Sequence, residues 1–197
     1  ASNAMLFHGL HINLSIDNLR KEKLLEYVNK MNYYLPFFLP FGFSSPFYDN
    51  DLFEGFSYRI FRRAQTRKLV RMQKRKEVDV IEFAGFNACG DSKLLKSLIL
   101  LLKGILLDKT LTKRAATQDA ELVKLSALKG FEDESIKKGG LLVLEAAKAA
   151  LEKDEAEVLE SLKTMLSTNN SYAKRVKESY LKTGDIIGSA SDRYDFV

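Results

Sequence analysis

The stretch that most constrains this chain is Phe7-His8-Gly9-Leu10-His11-Ile12-Asn13-Leu14-Ser15-Ile16. Its alternation predicts a strand with Leu10, Ile12, Leu14 and Ile16 on one face and His11, Asn13 and Ser15 on the other. An apolar back requires a second layer behind it. The polar front faces either solvent or a cleft, and the rest of the sequence bears on which.

A second strand is predicted over Val78 to Phe86. Val78, Val80, Glu82, Ala84 and Phe86 share one face, and Asp79, Ile81, Phe83 and Gly85 the other. Both faces are mostly apolar, which places this strand inside a sheet and makes Glu82 conspicuous. A carboxylate there needs a metal, a donor network or a cationic partner such as Arg59 or Arg62. Gly90-Asp91 then turns into an oily helix from Leu94 to Leu107, with Asp91 or Ser92 as its cap. Lys96 and Lys103 interrupt that run, which is shorter than the roughly 20 apolar residues of a membrane span.

Elsewhere the sequence predicts helices. Asp17 or Asn18 caps one through about Tyr34, which Pro36 and Pro40 end before an aromatic stretch, Phe37 to Phe43. A turn-rich loop, Ser44 to Asp51, follows. Arg62 to Lys76 holds eight cations and no acid and reads as a solvated face or connector, or else as a phosphate-binding surface. Further helices are expected over Leu111 to Lys129, Leu141 to Leu151 (after a Gly139-Gly140 break) and Ala156 to Leu166. A last one runs from Asn169-Asn170-Ser171 to about Lys182, ended by Gly184 and a loose polar tail.

Ala1-Ser2-Asn3-Ala4 reads as an expression-tag scar, leaving residues 5–197 as a single domain. Met5-Leu6-Phe7 enters the first strand without a basic leader, so no signal peptide is expected. The lone Cys89 excludes an internal disulfide framework and suits a cytoplasmic protein. A net charge of +5 is no nucleic-acid signature, and the basic segment lacks the interleaved aromatics that would make nucleic acid its expected partner. The class is α+β, with too few strands to cover a sheet. The missing strands are expected from an absent N-terminal half, a second chain or a homo-oligomer.

Three segments, in order, resemble one family. Gly9-Leu10-His11-Ile12-Asn13-Leu14 is similar to the Gly-Leu/Met-His-Val-His strand of type 2 glutamate–cysteine ligases. Ser44-Ser45-Pro46-Phe47 with Gly55-Phe56-Ser57-Tyr58-Arg59 is similar to their Ser-Ser-Pro-Phe…Gly-Tyr-x-Ser-x-Arg loop. Val80-Ile81-Glu82-Phe83-Ala84 is similar to their Thr-Ile/Val-Glu-Val/Phe-Arg strand. These are carboxylate–amine ligases with a glutamine synthetase-like antiparallel sheet, of which this chain resembles the C-terminal half with a helix-rich remainder.

The resemblance implies an ATP-dependent ligase using Mg2+, a small-molecule carboxylate and an amine. It implies His11 and Glu82 as metal ligands, and His11, Asn13, Ser57 and Arg59 around the nucleotide. Arg59 is the implied catalytic residue, neutralising charge on the transferred phosphoryl group. The sequence departs from the pattern at Asn13, where the family has a second His, at Ala84, where it has Arg, and at Asn87, where it often has Asp. Activity is therefore expected only with the missing half or a partner. The alternative is a catalytically degenerate binding or assembly module.

Overall fold

The computed structural model describes residues 9–15, 20–48, 51–75 and 78–191. The fold is α+β. Strand β1 (Gly9–Leu14) and strand β4 (Val70–Arg75) flank the long β5 (Val78–Asn87) in an antiparallel sheet of order β1-β5-β4. A separate two-stranded ribbon joins β2 (Phe47–Tyr48) to β3 (Asp51–Leu52). The central, doubly apolar strand is where the sequence placed it. Phe7, His8 and Ile16 of the first expected strand, and the expected caps Asp17 and Asn18, lie outside the described residues.

The basic segment is not a connector. It supplies the end of α2 (Tyr58–Arg63) and then β4. In β4 the buried Val70 and half-buried Met72 alternate with Arg71 and Gln73, the period of a strand with one face on a core.

Helix α1 (Lys21–Phe38) begins after Arg20 and runs through Pro36 into a 3₁₀ turn, Leu39–Gly42. The expected break at Pro36 does not occur. Proline removes one helical hydrogen bond, but Pro36 is buried, and Leu24, Val28, Met31, Leu35 and Phe38 form a continuous buried stripe. That stripe meets the back of the sheet, where Phe38 lies 5.7 Å from Phe83 and 6.3 Å from Phe86 between ring centroids.

Phe83 and Phe86 themselves meet edge to face, with centroids 4.5 Å apart, three residues apart on one face. A bulge explains this. Leu10 pairs with Phe86 and Ile12 with Phe83, so Ala84 and Gly85 together oppose His11. Strict alternation put Phe86 beside Glu82; the extra residue turns it into the core.

The helical remainder consists of α3 (Ser92–Leu107), α4 (Ala120–Lys129), α5 (Glu134–Ala149), α6 (Lys153–Val158), α7 (Glu160–Thr168), α8 (Tyr172–Thr183) and α9 (Ile186–Ser191). The Asp91 carboxylate caps α3 by accepting from the N–H groups of Lys93 and Leu94, as expected. Ser171 caps α8 and Gly184 ends it with φ +67°. Three expectations fail.

Gly139-Gly140 sits within α5 because these positions pack face-on: a Cβ at 139 would lie 2.2 Å from the Phe37 ring, and one at 140 would lie 2.8 Å from Phe131. Residues 111–119 are not helical. They form a strap across α1, held by Ala115 N–H to Asn29 O (2.9 Å), Asn32 Nδ2 to Ala116 O (3.2 Å) and the buried Lys30 Nζ to Asp108 O (2.5 Å). The polar tail contains a further helical turn, α9. No helix among the described residues is long and apolar enough to cross a membrane.

Candidate functional site

The front of the sheet carries the polar residues singled out in the sequence. Asn13 pairs with Glu82, and Glu82 with Arg71, so three side chains cross the sheet in one row. His11 precedes them at the bulge. Its Nδ1 lies 3.4 Å from Glu82 Oε1, and Arg71 Nη2 donates to the same oxygen at 2.6 Å. Glu82 is 1% exposed, whereas the side chains of His11 and Arg71 are 50% and 47% exposed. A buried carboxylate is thus covered by two partners that reach it from the surface. This is the pairing that its burial demands, made with Arg71 and with His11 beside it rather than with Arg59.

Arg71 is the site residue that sequence reasoning missed. Its signal was present in the alternation of Val70 and Met72 with Arg71 and Gln73, obscured by the run of cations around it.

Ser57 and Arg59 arrive from the loop and α2. Ser57 Oγ accepts from Ile60 N–H as the cap of α2 and donates to Asn87 Oδ1 at 2.9 Å. The loop before it is clamped by the helical layer. Phe56 and Ser57 N–H donate to Ala127 O, and Lys177 Nζ donates to Glu54 O (2.6 Å) and Gly55 O (3.2 Å). Ser44 Oγ ties the first half of the loop to Ala88 O.

Arg59 does not reach Glu82. Its Nη2 donates to Ala84 O at 2.7 Å and its Nη1 to Phe86 O at 3.0 Å. Pairing with β4 ends at Phe83, so the guanidinium occupies the stretch of β5 beyond the third strand. A Cβ at Gly9 would lie 2.0 Å from Arg59 Nη2, so only glycine leaves the guanidinium its place. Burial, then the nearby Arg63, pull the Arg59 pKa down to about 10, which leaves it a cation at neutral pH. It has no carboxylate partner among the described residues. Its Nε and Asn87 Nδ2 are buried without a hydrogen-bond partner.

In comparisons with known proteins, no family model matches the chain, nor does any curated protein or solved structure.

The expected residues fall into two groups, gathered at two points along β5. His11, Asn13 and Glu82 come together with Arg71 in mid-sheet. Ser57 and Arg59 gather with Asn87 at the end of β5. The residues of the first group do not by themselves fit a magnesium ion. A hard cation needs several oxygen ligands, and Glu82 Oε1 is already taken by a guanidinium. No group of three or more His, Cys, Asp or Glu that could hold a metal occurs among the described residues.

Proposed function

We propose that this chain is the C-terminal half of a carboxylate–amine ligase of the glutamate–cysteine ligase kind, its polar sheet face forming one wall of a nucleotide cleft. The observation that carries the reading is the row Asn13–Glu82–Arg71 beside His11 on the front of a sheet whose outer β1 edge has no strand partner among the described residues. It supports a face built to meet something polar and a sheet that ends too early. The chain's own residues can bind and orient: Arg71 and His11 supply hydrogen-bond donors, and the Ser57–Arg59 group stiffens the strand that carries Glu82.

On this reading ATP and Mg2+ belong to a completed assembly, because the additional carboxylates must come from a missing half or a partner chain. No chemical step is assigned to this chain alone. The carboxylate and amine substrates and a cytoplasmic location follow from the same reading.

The second reading, a non-catalytic binding or assembly module, is favoured by one specific contact. Arg71 neutralises the carboxylate that a metal would need, and Asn13 and Ala84 lack the ligase family's His and Arg.

Calorimetry separates the two. ATP is titrated into the assembled protein with and without magnesium, alongside a His11→Ala/Glu82→Ala variant. Magnesium-dependent binding lost in the variant supports the ligase reading. No binding, or binding indifferent to magnesium and to the variant, overturns it in favour of the module.

A further inference from the structure

The two outer edges of the sheet differ in chemistry. An unpaired edge offers a row of backbone donors and acceptors to any passing strand, and proteins guard such edges with cations, proline or bulges. On β4 the exposed Arg71 and Lys74 stand on opposite faces of the edge, so two β4 edges would bring like charges together. The β1 edge lacks cations and proline among its described residues, and the bulge opposite His11 lies on β5, which leaves the alternation of β1 itself intact. From Gly9 to Leu14, β1 contains no Asp, Glu, Lys, Arg or Pro, and on its outer side it has no strand partner among the described residues.

The face pattern of β1 also selects a partner. Its back carries the half-buried Leu10, the buried Ile12 and the half-buried Leu14, and its front carries the exposed His11 and Asn13. Residues directly opposite in an antiparallel pair share a face, so a strand meeting β1 must be apolar at the positions facing 10, 12 and 14. A second β1 satisfies this when centred on Ile12. Leu10 then faces Leu14, His11 faces Asn13, and Ile12 faces its own copy. Shifting by one residue would oppose Leu10 to Asn13 and lose the match. The two half-buried leucines on each edge would gain cover, and no charge would oppose a like charge.

We propose that two copies of this chain join edge to edge through β1, antiparallel and centred on Ile12. The result is a continuous sheet in the order β4-β5-β1-β1-β5-β4 with a single polar front. A two-fold axis at Ile12 makes the contact isologous and closed, and each copy places its His11 and Asn13 beside those of the other. The inference rests on the reading that this sheet is incomplete in one chain, and it names the second copy as what completes it.

The test uses the full chain and no nucleotide, so its failure is distinct from failure of the ligase reading. Sedimentation should show a concentration-dependent dimer. His11→Lys/Asn13→Lys sets lysine opposite lysine and should raise the dimer dissociation constant by at least about tenfold, with the circular dichroism of a folded monomer. Lys74→Glu on β4 should leave the dimer unchanged. Independently of whether the double variant folds, Ile12→Cys should form an intermolecular disulfide on mild oxidation, since directly opposite Cβ atoms approach to about 4.5 Å, the outer limit of disulfide geometry. Lys74→Cys, and the natural Cys89 in the unsubstituted chain, should not. A wild-type monomer throughout, a dimer indifferent to the lysine pair, or no Ile12→Cys cross-link overturns the proposal. So does a monomer that pairs only with a different chain.

Discussion

Two buried charges lie along β5, and the protein handles them in opposite ways. Glu82, in mid-sheet, is neutralised by Arg71 and has His11 Nδ1 beside the same oxygen, both reaching it from half-exposed positions. Arg59, at the end of the strand, is buried against carbonyl oxygens, with Gly9 clearing the space. The first arrangement covers a carboxylate with half-exposed side chains. The second is a fixed lock that ends the sheet where β4 stops. A site that must admit a ligand can be built from the first kind, whereas the second holds the scaffold.

The most damaging way to break this contrast is Arg59→Met. It leaves Ala84 O and Phe86 O without their donors in a buried setting, and should cost about 3–5 kcal/mol of unfolding free energy in urea denaturation. A loss below about 1 kcal/mol would mean that the guanidinium is not a lock.

Gly9→Ala attacks the same lock from the other side. The added methyl displaces the guanidinium and should cost about 2–3 kcal/mol. In an Arg59→Met background that cost should largely vanish, and a double-mutant cycle measures the coupling.

At Glu82 the effects should be smaller, because Arg71 is half exposed and screened by solvent. Arg71→Ala should destabilise by about 1–2 kcal/mol, and Glu82→Gln should remove most of that penalty when the two are combined. An undiminished cost in the double variant would show that Arg71 matters through packing alone.

The smallest effect comes from a third device. Tyr172 Oη donates to Asp91 Oδ2, joining α8 to the cap of α3. Burial, then this hydrogen bond, raise the Tyr172 hydroxyl to about 12. A phenol raised above its ordinary value of 10.0 contributes stability that is fully present below that value and lost as pH rises through the folded one. Alkaline titration of the wild type should therefore show a loss of stability between pH 10 and about 12, absent in Tyr172→Phe. Burial alone would raise the Asp91 carboxyl, but hydrogen bonds from Tyr172 and from Leu94 and Lys93 N–H hold it below its ordinary value. Its contribution is present above the usual aspartate range and disappears as pH falls through the lowered value.

The parts of this architecture that could be read from sequence are those set by local period. β1 and β5 were visible because alternation is intact in β1 and, in β5, as far as the bulge after Phe83, and their faces brought His11 and Glu82 together. Asp91, Ser171 and Gly184 were visible as helix punctuation. What remained hidden depends on neighbours far along the chain. Pro36 and Gly139-Gly140 read as breaks until the close packing of α1 on α5 is seen. β4 was masked because arginines and lysines dominate a segment whose alternation is real but short. The destination of Arg59 follows from where β4 stops pairing, which no local pattern encodes.

The bulge at Ala84 and Gly85 makes the end of β5 depend on a single residue of chain length. Were Ala84 and Gly85 to alternate without a bulge, Phe86 would turn to the polar side and Asn87 toward the aromatic core. The Ser57–Asn87 contact and the aromatic contact between Phe83 and Phe86 would be lost together. In this strand the count of residues, as much as their identity, decides which end can carry polar chemistry.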